Sequence, residues 1–166
     1  MAYQQGDTIT TSEYNTFAGN VNTIIGTGSG DSGYGLSEIA TVSAGDTITA
    51  AQWNSLLSGL QKGANHQGTT LTNASNTVTA GGNILPLSNL EADITLITNN
   101  KLTADASNMA TDTGDTSTRT ASWGTAVYHE FTVTFASANA ARHFFNSGGE
   151  IRFAASRSGG SSTDQN

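Results

Sequence analysis

The stretch Gly6-Asp-Thr-Ile-Thr-Thr-Ser-Glu-Tyr-Asn-Thr-Phe17 returns as Gly45-Asp-Thr-Ile-Thr-Ala-Ala-Gln-Trp-Asn-Ser-Leu56, with five identical residues recurring 39 positions apart. Three residues beyond each Gly-Asp-Thr-Ile-Thr string stands an acidic or amide side chain, then an aromatic, then Asn. Thr10-x-x-Glu13 and Thr49-x-x-Gln52 have the form of capping boxes: the hydroxyl serves the N3 amide and the N3 side chain reaches back to the cap. Ile9 and Ile48 stand just before the caps, where a hydrophobic staple belongs. After the first cap, Tyr14, Phe17, Val21, Ile24 and Ile25 fall on one helical face; after the second, Trp53, Leu56, Leu57 and Leu60 do the same. A worn third copy lies at 80–97, where Ala80-Gly81 and Ile84 match Ala44-Gly45 and Ile48. There Pro86 suits a first turn, and Leu87, Leu90, Ile94 and Ile97 mark the stripe. The spacing therefore predicts a helical repeat module over 1–102, with repeats near 6–25, 45–61 and 80–99.

Gly-rich and Thr/Asn-rich connectors join these helices. The segment 26–35 has too many glycines for the interior of a regular element, and 61–79 offers Leu71 and Val78 for one short strand. Residues 103–122 are almost wholly Thr, Ala, Asp and Ser and read as a polar linker or long loop. Beyond it, Val127, Phe131, Val133 and Phe135 alternate with Tyr128, Glu130, Thr132 and Thr134, the pattern of a half-buried strand. Ser137 is placed to cap a helix through Phe145 that Gly148-Gly149 ends, and Glu150–Phe153 resumes as a second strand. The expected fold is α+β: capped helices, then a strand–helix–strand module at 123–156 and a flexible tail at 157–166, completed by oligomerisation.

Composition narrows the function. Of 166 residues, 78 are Gly, Ser, Thr or Asn, whereas Leu, Ile, Val and Phe total only 30, about 18% of the chain. That is below the rough 20% associated with disorder at high net charge. Here only 11% of residues are charged and the net charge is −7, so self-repulsion does not explain the shortage. A chain of this kind folds but is poorly supplied to bury a large core alone, so copies are expected to supply the rest. With no Cys there is no disulfide, thiol nucleophile or Cys-ligated zinc. Apolar runs are far short of the ~20 residues that span a bilayer, and the first residues lack a signal-peptide pattern, so neither a membrane role nor Sec-type export is expected. Six scattered Lys and Arg argue against nucleic acid as a partner.

Motifs of catalysis fail on context. Gly28-Ser-Gly30-Asp-Ser-Gly33 matches a dinucleotide fingerprint, but a helix precedes it and none follows. Gly30-Asp-Ser-Gly33 resembles a trypsin-like nucleophile segment, yet no His precedes Ser32. His66 is placed in a loop, His129 on the core-side register of a strand and His143 in a helix beside two Phe, with no pair at ligand spacing. Asp112-Thr-Gly-Asp115 holds only a fragment of a calcium loop. Asn73-Ala-Ser75 is a chance sequon. No enzyme, cofactor or metal is expected. The residues marked out instead are assembly or core anchors (Tyr14, Phe17, Trp53, Leu56, Leu57, Phe131, Phe144 and Phe145) and the caps Thr10, Glu13, Thr49 and Gln52.

MAYQQGDTITTSEYN, GTGSGDSGYG, AGDTITAAQWN, HQGT and FASANAARHFFNSGGEIRF together resemble the tail-fibre-like virion structural proteins of tailed bacteriophages, of the marine cyanobacterial phage type. The most specific piece is Phe135 to Phe153. The resemblance implies a location in the virion, after assembly in the host cytoplasm. It implies a homo-oligomeric fibre or tail-attached adaptor, trimer favoured, with itself and neighbouring tail, baseplate or neck proteins as partners. A host glycan- or receptor-binding tip and a head or neck decoration protein stand as alternatives. Members of that family often run on past the GGSS stretch, whereas this chain stops at Asn166, inside what resembles a hinge, so a downstream receptor-facing part is expected to be absent from it and a direct host-recognition role is not expected.

Overall fold

The computed structural model describes residues 8–28, 32–73, 77–84, 87–107, 110–121, 123 and 125–158. It contains α1 (Thr11–Ile25), α2 (Ala50–Gln67), α3 (Leu87–Asn99) and α4 (Ala138–Asn146), and no strand among the described residues. The α+β expectation is therefore corrected to an all-helical fold. Gly30, Asp31, Ala74, Ser75, Pro86, the side chain of Leu87 and the tail from 159 onward lie outside the described residues.

Both repeat caps close in the same way. Thr10 and Thr49 sit at φ −84° with ψ 156° and 157°, and each completes a capping box with Glu13 or Gln52. Each box satisfies helix N–H groups that have no intrahelical acceptor. The helical faces they launch meet in one core. Tyr14, Phe17, Val21, Ile24 and Ile25 of α1 pack with Trp53, Leu56, Leu57 and Leu60 of α2 and with Leu90, Ile94 and Ile97 of α3. Ile9, Ile48 and Ile84, which precede the three helices, pack against its edge.

α2 is longer than its large apolar residues suggest. The helix runs on to Gln67, so His66 lies in its last turn rather than in a loop. Its buried face continues through Gly63, Ala64 and Gln67. A Cβ at Gly63 would stand 3.4 Å from Ile25 and 3.5 Å from Ile97, ordinary van der Waals distances, so this position faces both α1 and α3 across the core.

The connectors run back along the helices they leave, and asparagines hold them there. On α1, the Asn15 carboxamide donates to Val42 O at 2.8 Å and accepts from Val42 N at 2.8 Å. Asn22 grips Ile39 likewise, at 2.9 and 2.8 Å. On α2, Asn54 grips Val78 at 2.9 and 2.8 Å. Asn15 and Asn54 are the residues that follow the repeat aromatics. Their targets are also equivalent: Thr41-Val-Ser-Ala-Gly45 matches Thr77-Val-Thr-Ala-Gly81. Each ends in a turn, closed by Asp46 N to Ser43 O at 3.1 Å and by Gly82 N to Thr79 O at 2.9 Å. Gly45 and Gly81 sit at φ +91° and +78°, the left-handed region that favours glycine. The short strand expected within 61–79 does not form among the described residues of that range. Val78 is paired to a side chain instead of a neighbouring strand, and Asp93 of α3 takes the Thr72 and Asn73 amides at 3.0 Å each.

The two C-terminal strands do not form either. Residues 126–135 and 150–158 run without helix, turn or bend, but no bridge joins them to each other or to another described segment. Alternation specifies two faces; a sheet also needs a second edge in register, and none lies beside them among the described residues. His129 correspondingly is exposed, with Nδ1 2.7 Å from Ser117 Oγ, rather than facing a core.

Two tests follow from these contacts. Asn54→Ala removes both bonds to Val78 and should lower stability in urea by about 2 kcal/mol, each net bond being worth ~1 kcal/mol; no shift in the midpoint would show that the connector needs no clamp. Burial pushes the Tyr14 and Tyr34 phenols above the ordinary value of 10, although the Gln67 bond pulls Tyr34 partly back. Folding then favours the protonated phenols, a contribution present in full below pH 10 and lost as pH rises through the folded values. Urea stability should fall in alkali from about pH 10, and less steeply in Tyr14→Phe; identical slopes would contradict the burial argument.

Candidate assembly surface

The anchors marked out in the sequence separate into two groups that the fold keeps apart. Tyr14, Phe17, Trp53, Leu56 and Leu57 are at most 5% exposed, all inside the core of their own chain. They hold the helical module together and present nothing to a neighbour. Phe131 and Phe145 are 40% and 49% exposed, and Phe144 is half-buried.

α4 positions the second group. Ser137 caps it by accepting from Ala140 N at 3.1 Å, and Gly148 at φ +83° turns the chain out of it. Phe135, Phe144 and Phe145 form a ring cluster with centroids 5.3, 5.9 and 5.1 Å apart, the Phe144–Phe145 pair edge-on at 81°. Such tilted and edge-on contacts suit the ring quadrupoles. The cluster nevertheless leaves Phe145 half open to solvent.

Polar bonds fasten α4 to the helical module. His143 Nδ1 lies 3.0 Å from Gly33 O, and Asn146 Nδ2 donates to the same oxygen at 3.1 Å. His66 Nε2 of α2 lies 2.7 Å from Ser147 O. A carbonyl only accepts, so both ring nitrogens carry their proton. The His66 ring also leans on Tyr34 at 4.7 Å. Tyr34 in turn donates to Lys101 O at 2.7 Å and accepts from buried Gln67 at 2.8 Å. One loop thus ties α4 to the ends of α2 and α3. Gly35 leaves room for this dock, because a Cβ there would fall on the His143 ring, 2.4–2.7 Å from its atoms, and its φ is +76°.

These docking residues escaped the sequence reading. The Gly-rich loop read as a solvated connector, and His143 is 110 positions from its partner Gly33. The asparagine clamps left a signal, since an Asn follows each repeat aromatic.

Large apolar side chains stand open beyond the dock. Among the described residues, Tyr128, Phe131, Val133, Phe145, Ile151 and Phe153 of the C-terminal third are exposed, Tyr128 at 90% and Phe153 at 79%. Among the described residues the helical module exposes only Leu36 and Leu102 of its large apolar side chains. No backbone–backbone hydrogen bond among the described residues ties 126–135 or 150–156 to another segment. Charge divides at the same place: eight carboxylates against two lysines through residue 107, then five carboxylates against four arginines.

The remaining surface offers little chemistry. A groove of about 520 Å³ between 37–40 and α2 has Glu38 and Lys62 as its charged side chains. Asp112 accepts from Gly114 N at 2.8 Å in a local turn. Among the described residues no three His, Asp or Glu side chains gather as a metal site would need, and no helix is long and apolar enough to cross a membrane. No family model, curated protein or solved structure matches the chain.

Gly35→Ala should release α4 while the three-helix core stays folded. Amide exchange at 140–146 should approach that of an unprotected peptide, with protection in α1–α3 retained; unchanged protection at 140–146 would show that the His143–Gly33 contact does not hold the helix.

Proposed function

We propose that the chain is a non-enzymatic structural component of a phage virion, a fibre or tail-attached adaptor that assembles as a homo-oligomer, with three copies favoured. The observation that carries this reading is the contrast between the two parts of the molecule. A closed helical core is joined to a C-terminal third that leaves six large apolar side chains open. Exposed apolar surface on that scale marks a place where another chain sits. The strings quoted above, with Phe135 to Phe153 the most specific, supply the virion setting.

The glycan-binding alternative loses its best candidates. Tyr14 and Trp53 are each 1% exposed, so neither offers a stacking platform for sugar. A head or neck decoration role shares the same assembly and differs only in where the protein sits.

Two measurements test the proposal. Sedimentation of the purified chain should give an oligomer, three copies being the favoured mass; a monomer at all concentrations up to about 100 μM would contradict assembly, since a biological contact of standard size binds more tightly than that. Peptides of this chain should be found in gradient-purified virions of the phage that encodes it; their absence from intact particles would remove the virion role.

A further inference from the structure

We infer that copies of this chain meet arm to arm: the C-terminal segments 126–135 and 150–158, with the outer face of α4, pack against the same region of a second copy. The inference rests on the oligomeric reading above and identifies the surface that carries it.

The argument begins with what apolar surface the chain has to offer. Phe131 and Val133 share one side of the first segment by alternation, and Ile151 and Phe153 share one side of the second. Tyr128 stands on the opposite side of the first segment; with it and Phe145 the arm exposes, over both sides, on the order of 600 Å² of apolar side chain, since a large aromatic carries about 150–250 Å². A standard interface needs about 800 Å² from each partner, a figure within reach once the flanking backbone is counted. The arm is therefore large enough to hold two copies together.

The occupant follows by matching. Docking on a neighbour's helical module would set these side chains against a surface whose large apolar groups are buried, Leu36 and Leu102 excepted among the described residues. A second arm is the surface of this chain that can cover them with comparable apolar area. Charge favours the same choice. The described arm residues 110–158 carry Asp112, Asp115, Glu130 and Glu150 against Arg119, Arg142, Arg152 and Arg157, a balanced set. Two helical modules, each with its excess of carboxylates, would repel at contact distance. Meeting through balanced arms keeps the acidic modules apart. The backbone groups of 126–135 and 150–156, which have no backbone partner in their own chain among the described residues, are available at the same contact.

The chain contains no Cys, so one introduced thiol reports one position. Val133→Cys on the apolar side of the arm and Ser58→Cys on α2 both place the thiol at exposed positions. On mild oxidation of the full-length protein, Val133→Cys should give disulfide-linked dimers at least tenfold faster than Ser58→Cys. Phe131→Ser with Phe153→Ser should convert the oligomer to monomer without loss of helical signal, whereas Leu36→Ser with Leu102→Ser should leave it assembled. If the wild type is oligomeric but the arm variant keeps the wild-type mass, or Ser58→Cys cross-links as fast as Val133→Cys, the arm-to-arm contact is wrong and the oligomeric reading stands. If the wild type is a monomer, both fall.

Discussion

A side-chain carboxamide gripping a backbone is the interaction on which this fold depends. Each connector must lie against the helix it leaves, where its N–H and C=O groups lose water. A buried peptide group without a partner costs about 1–3 kcal/mol. In a sheet the adjacent strand would supply the partner. Here Asn15, Asn22 and Asn54 each offer one acceptor and one donor at the spacing of a peptide edge, at 2.8–2.9 Å. Asp93 takes two successive amides in the same role for 72–73. With the connectors held, the turns at Gly45 and Gly81 aim the chain into the next helix, and the staple positions Ile48 and Ile84 reach the core.

This device gives the polar composition a physical meaning. A chain in which 78 of 166 residues are Gly, Ser, Thr or Asn has few large side chains with which to press its connectors into place. Asparagine clamps, threonine caps and glycine close approaches substitute for bulk. The 18 buried apolar residues of the described core are then sufficient for three helices. The shortage that composition assigned to the whole chain is in fact confined to its last third.

The sequence revealed what depends on local spacing. Two caps and three apolar stripes are periodic features, and all three helices lie where those stripes fall. It was silent where contacts join distant residues. Asn54 bonds Val78, and His143 bonds Gly33 across 110 positions, through partners chosen by the fold. The end of α2 lies beyond the visible stripe because Gly63 and Ala64 add no apolar bulk to it although both are buried. The strand–helix–strand expectation fails for another reason. The alternation Val127-x-x-x-Phe131-x-Val133-x-Phe135 is real, but the ladder that would make it a strand requires an edge, and the described residues of the single chain supply none. At the candidate surface, the adjacent aromatics Phe144 and Phe145 stand out in the sequence, whereas the His66, Gly33 and Gly35 contacts that dock α4 do not.

In the proposed assembly the molecule has two halves with separate duties: an acidic helical module whose core is complete in one chain, and a charge-balanced arm whose apolar side chains are shared between copies. Amide hydrogen exchange of the intact protein across a range of concentrations tests that division directly. Protection in α1, α2 and α3 should be the same in dilute and concentrated samples, while amides of 126–135 and 150–158 should gain protection only as the concentration rises. Protection in α1–α3 that fades on dilution, or an arm that stays unprotected at every concentration, would contradict it.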